Sequence, residues 1–370
     1  MNAVIIGAGA AGLAAAVRLK QNMPFANVTV LERLSVAGKK ILATGNGRCN
    51  ITNTNAQGYE KCRDFFSSIG VALREEEEGR VYPYSLKAET VLSSLLDACE
   101  NLGVQIICDC KVNRISENLE AFTDKGVFKA DRLIVAAGGR AQSALGSDGS
   151  GYTLLKSLGH TVTPLSPALV QLTSSSKYPR MIKGTRTKCT LKIEIDGQEV
   201  CSEYGEVLFT DYGLSGIAAM NVSHEVSRNF QKKQPSKCLA VIDLAPDFSE
   251  KEILEHVEKF GSVKGILGTK LAEIIEKQAS GDMQRQAKTI KNWRLILTGT
   301  KGYEYAQITS GGIPVDEIDN YESKIIKGLY ICGEILDKQF PCGGFNLDFA
   351  WSSGIAAADN IAKEYGYDKN

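Results

Sequence analysis

The chain opens on a short apolar run, residues 3–6, followed by Gly7-x-Gly9-x-x-Gly12 and a helix-like stretch over 13–20. A second apolar run, 28–31, ends at Glu32, twenty residues past Gly12. Strand, glycine turn, helix, strand and terminal acid are the parts of a dinucleotide-binding βαβ unit, and their order constrains the fold more than any other feature. Gly7 makes the tight turn, Gly9 lets the backbone approach a pyrophosphate, and Gly12 lets helix and strand pack closely. The helix start supplies unpaired N–H groups and a positive dipole end for phosphates, and Glu32 can accept hydrogen bonds from ribose hydroxyls.

At 370 residues the chain has room for one large domain with an insertion, or for two to three domains. Lys and Arg number 43 against 43 Asp and Glu, so net charge gives no global case for nucleic acid or a membrane, although local patches can still bind. The longest apolar runs are too short to span a bilayer, and no basic region precedes a cleavable apolar segment, so a cytoplasmic protein is expected. None of the 10 cysteines forms Cys-x-x-Cys and no histidine cluster accompanies them, which argues against zinc, iron–sulfur and thioredoxin-like chemistry. Most are expected to be buried thiols, and no metal site is expected.

Residues 1–150 alternate strand-like and helix-like patterns. An amphipathic helix is predicted over 87–102, a strand over 104–108, a buried strand running into glycines over 133–139, and a short helix over 152–158. The character changes after His160. Short runs at 191–195, 199–201, 206–209 and 239–242 predict a β-rich insertion over 161–245, a small barrel or sandwich. Residues 246–302 read as a short helical subdomain, with Ser249-x-x-Glu252 as a capping-box start. The α/β pattern returns over 303–370, with a strand at 329–332 and a closing helix from 347 to 364. The fold class predicted is α/β: a Rossmann-like nucleotide domain made of 1–160 and 303–370, interrupted by a β module and a short helical module.

A second ligand-facing strand end lies at Cys332-Gly333-Glu334, with Asp337 as the other candidate acid. Pro341-Cys342-Gly343-Gly344-Phe345-Asn346-Leu347 then precedes the last helix. The two glycines let backbone approach a flat ligand, and the helix dipole would stabilise negative charge on the pyrimidine edge of a reduced flavin. That second strand and helix favour FAD over NAD as the tightly held nucleotide. The segment from Gly38 to Asn53 is placed to run along such a cofactor: Gly45 and Gly47 permit close approach, Lys39, Lys40 and Arg48 can neutralise phosphates, and Asn46 and Asn50 can hydrogen-bond the ring edge. The expected cofactor set is Gly7, Gly9, Ala10, Ala11, Gly12, Glu32, Arg33, Lys40, Thr44, Gly45, Gly47, Arg48, Cys49, Asn50, Val112, Ala137, Gly138, Gly333, Glu334, Gly344, Phe345, Asn346 and Leu347.

Four ordered motifs carry a resemblance that spans nearly the whole chain: Thr44-Gly45-Asn46-Gly47-Arg48-Cys49-Asn50, Leu208-Phe209-Thr210-Asp211-Tyr212-Gly213-Leu214-Ser215-Gly216, Ala306-Gln307-Ile308-Thr309-Ser310-Gly311-Gly312-Ile313, and Gly343-Gly344-Phe345-Asn346. In these the chain resembles the BaiN/aminoacetone-oxidase family of bacterial flavoproteins. The resemblance implies an FAD domain of glutathione-reductase type with a β-barrel insertion and a helical subdomain. It departs from the family in its short helical stretch, 249–292, and in Phe345, where many members have Tyr. Activities attributed to the family are amine oxidation, reduction of conjugated C=C bonds in steroid-like bile-acid intermediates, and reduction of uridine in ribosomal RNA. The first favoured reading is a reductase fed by NAD(P)H, which would dock transiently because no second Gly-x-Gly-x-x-Gly exists. An amine oxidase using oxygen and a non-catalytic flavin- or RNA-binding module are the alternatives.

Catalytic candidates are few. Cys49 can serve as a thiol acid that protonates carbon after hydride delivery, with a buried structural thiol as the competing reading. His160 follows a helix end, where a helix-dipole contact is expected. Asp148 is read as a cap of the following helix, and Thr309 and Ser310 as candidates for the substrate face. Six cations within 177–192 (Lys177, Arg180, Lys183, Arg186, Lys188 and Lys192) have no acid between them, and Arg285, Lys288, Lys291, Arg294 and Lys301 repeat the pattern over 285–301. They are a candidate RNA contact, against the alternative of a solvated basic face.

Overall fold

The first apolar run forms a strand, Asn2–Ile6 (β1), inside a seven-stranded sheet. Asn27–Leu31 (β2) pairs parallel on one side of it, with Ile6 opposite Leu31, and Gln105–Ile107 pairs parallel beyond β2. Arg132–Val135 pairs parallel on the other side of β1, followed by Leu329–Ile331. Glu322–Ser323 and Ile318–Asp319 finish that edge antiparallel. The four inner residues of β1 are buried, as in a parallel strand covered on both faces. The helix Ala10–Asn22 (α1) and the closing helix Phe345–Glu364 cover one face together. A Cβ at Gly354 would come within 2.2 Å of the Ala11 carbonyl, so the closing helix crosses α1 where it has no side chain. Trp351 meets Phe66 edge-on beneath them, with ring centroids 5.1 Å apart. An antiparallel sheet of Val112–Ile115, Glu120–Thr123 and Gly126–Lys129 belongs to the same body.

The computed structural model describes residues 1–366 and divides into two units, Met1–Leu165 with Ile308–Asn370, and Ser166–Gln307. The second is built on a closed six-stranded barrel of Leu172–Ser174, Gly213–Ser215, Gln198–Phe209, Arg186–Ile195, Cys238–Asp243 and Trp293–Thr300. Trp293, Phe209, Leu191 and Ile242 lie in its core. Three helices, Glu250–Phe260, Thr269–Ala279 and Met283–Lys291, are inserted between the fifth and sixth of these strands. They share the barrel's apolar core through Ile253, Val257, Leu271, Ile275 and Ile290. The first of them starts at the predicted capping box of Ser249 and Glu252.

One stretch differs in kind from its sequence expectation. Residues 293–300, placed in the helical module, are a barrel strand whose residues alternate strictly between buried and exposed up to Gly299. Trp293, Leu295 and Leu297 point inward at a period of two, which no helix sustains. Among the described residues, no helix is long and apolar enough to cross a membrane.

Candidate cofactor site

β1 ends at Gly7, whose N–H donates to Leu31 O at 2.8 Å and so ties the glycine turn to the end of β2. The first intrahelical bond of α1 runs from Leu13 N–H to Gly9 O at 3.0 Å. The N–H groups of Ala10, Ala11 and Gly12 therefore have no intrahelical acceptor. A Cβ at Gly12 would sit 1.9 Å from Gly7 O, whereas one at Gly9 would meet nothing within 4 Å. Protein packing requires the glycine at position 12; at position 9 the backbone faces open space. Glu32 is buried, and its carboxylate accepts from Ala8 N–H and from Leu34 N–H, each at 2.9 Å. Cys110 N–H donates to Glu32 O at 2.8 Å, which brings the following Val112 near the end of β2, although the Val112 side chain joins the core. Ala137 and Gly138 follow the neighbouring strand, and a Cβ at Gly7 would reach Ala136 O at 2.5 Å.

The far end of the chain meets this turn. Gly333 follows Leu329–Ile331, and a Cβ there would lie 2.8 Å from that of Ala11. Glu334 accepts from Lys40 Nζ at 2.9 Å through one oxygen and from Thr309 N–H at 2.9 Å through the other. Thr309 Oγ1 in turn accepts from Arg140 N–H at 2.7 Å and Ala141 N–H at 3.1 Å. Of the two candidate acids, Glu334 stands in this network. Asp337 accepts from the Thr163 hydroxyl at 2.7 Å and is taken up there.

The closing helix starts at Phe345 after Gly344, and its first intrahelical bond is Asp348 N–H to Gly344 O at 2.9 Å. The N–H groups of Phe345, Asn346 and Leu347 come before it. The loop from Thr44 to Asn50 is bent by left-handed backbone at Gly45, Asn46, Gly47 and Cys49. It brings Asn50 so close to Gly344 that a Cβ on that glycine would lie 2.8 Å from Asn50 Oδ1. Asn50 Oδ1 is buried without a hydrogen-bond partner. The residues fit a flavin dinucleotide: two helix starts with N–H groups to spare, an acid at the end of two strands, open space at Gly9 and an orphaned amide oxygen at the second helix start.

Other expected residues have different work. Arg48 reaches Glu76 at 3.3 Å and lies over the Tyr82 ring at 4.2 Å, so it braces its own loop. Asn346 accepts from Phe340 N–H at 3.0 Å and donates to Phe340 O at 2.8 Å, so its amide closes the 340–346 turn. Arg33 pairs with Asp148 at 2.7 Å. Asp148 also accepts from Ser150 N–H at 2.9 Å at the start of Ser150–Ser157. Burial raises its pKa, but the Ser150 hydrogen bonds and the Arg33 charge outweigh that and hold the carboxyl below its usual range. Cys49 is fully buried in the apolar core, and burial pushes its thiol up to about 12. Its thiol has no exposed surface and packs in the core, as the competing structural reading expects. His160 meets the helix end through its backbone, whose N–H donates to Leu155 O at 3.2 Å, rather than through its ring. Its ring nitrogens reach Glu317 at 2.7 Å and Ser323 at 2.9 Å, and it holds the sheet edge.

No motif in the sequence marks Asp348 as a site residue. Its carboxylate accepts from the Thr52 hydroxyl at 2.5 Å and from Gly58 N–H at 3.0 Å. Asn53 adds a bond to Gly343 O at 3.0 Å. These bonds fix the strand after Asn50 against the second helix start. In the barrel unit five of the eleven cations in the basic stretches are ion-paired: Lys183 with Asp211, Arg186 with Glu206, Lys192 with Glu199, Arg294 with Glu194, and Lys291 with Asp243. Most of these acids come from other strands, which a scan along the chain cannot see.

A family model described as HI0933-like protein Rossmann domain matches residues 55–360, and one described as NAD(P)-binding Rossmann-like domain matches residues 5–50. The chain is 32% identical to the 3-dehydro-bile acid delta(4,6)-reductase of Clostridium scindens, over 97% of this chain and 98% of the relative. It is 28% identical to a ribosomal RNA dihydrouridine synthase of Haemophilus influenzae, over 98% of both chains. The solved 3-ketosteroid delta1-dehydrogenase of Sterolibacterium denitrificans shares the fold, with a TM-score of 0.55 over 98% of this chain and 99% of that one at 11% identity. The chain therefore belongs to the HI0933-like Rossmann family, and it is a flavin-dependent oxidoreductase.

Proposed function

We propose that the protein is an FAD-dependent reductase that saturates a C=C bond conjugated to a carbonyl in a steroid-like substrate, with NAD(P)H as the transient electron donor. The full-length similarity to the bile-acid delta(4,6)-reductase carries this reading. Bound FAD supplies hydride transfer at its ring; the protein supplies position and field. The N–H groups of residues 10–12 would hold the pyrophosphate and Glu32 the adenosine ribose. Glu334, whose carboxylate meets Lys40 Nζ at 2.9 Å, would take a ribityl hydroxyl. The start of the closing helix and Asn50 would hold the pyrimidine edge, where the positive dipole end favours the negative charge of the reduced ring.

Uracil also holds a C=C conjugated to a carbonyl, and the dihydrouridine synthases among the relatives make RNA the second reading. The pairing of five of the eleven barrel cations with acids weakens the case for RNA, because paired cations release fewer counterions on meeting it. The test is anaerobic reduction by NADH and NADPH, then reoxidation by a steroid dienone, ribosomal RNA or oxygen compared side by side. Rapid reoxidation by the dienone alone is expected. Turnover of RNA, peroxide formed from an amine, or an FAD that no nicotinamide reduces would each overturn the reading.

A further inference from the structure

The segment 139–149 leaves the sheet and returns to its own start, where Gly149 N–H donates to Gly139 O at 3.0 Å. It is a compact loop with its ends joined. It begins after the strand Arg132–Val135, which lies on one side of β1. Its outer part is held by residues that follow β2, on the other side of β1. Arg33 donates to Gly146 O at 3.1 Å, to Ser143 O at 3.3 Å and to Asp148 at 2.7 Å. Lys39 donates to Ala144 O at 3.0 Å and Lys40 to Ala141 O at 3.3 Å. To make these bonds the loop must pass over the end of β1, which is the Gly7–Gly12 turn. Gly38 N–H, bonded to Ala8 O at 2.8 Å, sets Lys39 and Lys40 beside that turn. The root of the loop is also fastened through Arg140 and Ala141 N–H to Thr309, whose own N–H donates to Glu334, the acid that Lys40 meets.

We propose that residues 139–149 form a strap across the pyrophosphate end of the dinucleotide site, latched by Arg33, Lys39 and Lys40, and that the strap must unlatch for FAD to enter or leave. The proposal rests on the reading of this site as an FAD site. Every latch bond joins protein to protein, four of them backbone carbonyls at 141, 143, 144 and 146. Weakening the latch therefore speeds passage in both directions, unlike loss of a direct cofactor contact, which speeds release alone.

The decisive measurement is the rate of FAD uptake by apoprotein and of FAD release from holoprotein, for the wild type and Asp148→Asn. The substitution leaves an acceptor for Ser150 and removes the charge that holds Arg33. Both rates should rise by about tenfold, the effect of losing one charge-assisted bond, with the dissociation constant changed by less than about threefold. Raising the salt should speed both rates in the wild type and have a smaller effect in the variant. Amide exchange over 139–149 in wild-type holoprotein gives a check that needs no substitution: FAD release must not outpace strap opening. Unchanged rates, faster release alone, or release faster than opening would overturn the strap while leaving the FAD reading intact. A protein that takes up no FAD would overturn both.

Discussion

Two helices start at the candidate cofactor site, and they are built in opposite ways. The start of α1 is local. Its turn, its helix and the acid that answers it lie within residues 7–32, and the bonds that shape it run from Gly7 to Leu31 and from Ala8 to Glu32. The start of the closing helix is assembled from a distance. Gly344 packs against Thr52 O and Asn50, and Asp348 reaches Thr52 and Gly58 some 290 residues earlier in the chain. A local motif is held by close packing of backbone, where one added carbon is intolerable. A distributed one has such packing at Gly344 too, but it is also tied across the chain by buried polar bonds, each replaceable at a measurable cost. The two starts should therefore fail differently.

The largest effect is expected at Gly12. A Cβ 1.9 Å from Gly7 O can be relieved only by moving α1 off β1. Gly12→Ala should cost about 3 kcal/mol or more in urea unfolding, and the protein should purify without flavin. A Gly12→Ala protein with wild-type stability and colour would show that the local motif is not held by backbone packing.

Asp348 comes next and tests the distributed start. Asp348→Ala leaves the Thr52 hydroxyl and Gly58 N–H without their acceptor, and about 2–3 kcal/mol should be lost. The loss should depend on pH. Burial raises the Asp348 pKa above its unfolded value, so the native state binds the proton more tightly than the unfolded state does. The contribution of this group is then full below about pH 4 and declines as pH rises through the raised value. Paired urea melts of wild type and Asp348→Asn at pH 4 and pH 7 should show the larger difference at pH 4. A difference that grows toward pH 7 would mean that the hydrogen bonds to the carboxylate outweigh its burial.

The same contrast explains what could be read from the sequence. β1, α1 and β2 were legible because each signal lies in consecutive residues and packs on its neighbours. Leu329–Ile331 and the glycines at 343 and 344 were legible as elements, but their partners were not. Nothing in the spacing of Thr52 and Asp348 says that they meet. Arg48 read as a phosphate ligand because it sits among glycines, and Arg33 as a cofactor contact because it follows Glu32; Glu76 and Asp148, which claim them, arrive from other loops. The basic run 177–192 read as a patch because the acids that pair with Lys183, Arg186 and Lys192 lie across strands or turns. Trp293–Thr300 was only half legible, since the apolar Ile296 at an exposed position breaks the alternation in the residues themselves.

Asn346 offers a finer test of the distributed start. Its amide makes two bonds to Phe340 and a third to Pro341 O at 3.2 Å, and all three close one turn ahead of the helix. Asn346→Ala should cost about 1 kcal/mol. The flavin should remain bound with a shifted absorption band, because the turn beside its ring is loosened while the helix start stays in place. An unshifted spectrum would place the ring away from this turn.

Gly9 should show the smallest effect on stability and the cleanest separation of folding from binding. Its φ of −89° and ψ of −165° suit any residue, and an added Cβ meets no protein atom within 4 Å. Gly9→Ala should therefore change stability by less than about 1 kcal/mol, and the lower entropy of the unfolded chain favours a slight gain. The space that the methyl group would enter is the space a pyrophosphate needs to reach the α1 N–H groups. FAD affinity, measured by titrating apoprotein and following flavin fluorescence, should fall by about tenfold or more. Gly9 and Gly12 are three residues apart in one motif, yet the first should be silent in an unfolding experiment and loud in a titration. If Gly9→Ala binds FAD like the wild type, the dinucleotide does not approach this turn, and the assignment of the α1 start to the pyrophosphate fails, however well the rest of the site fits.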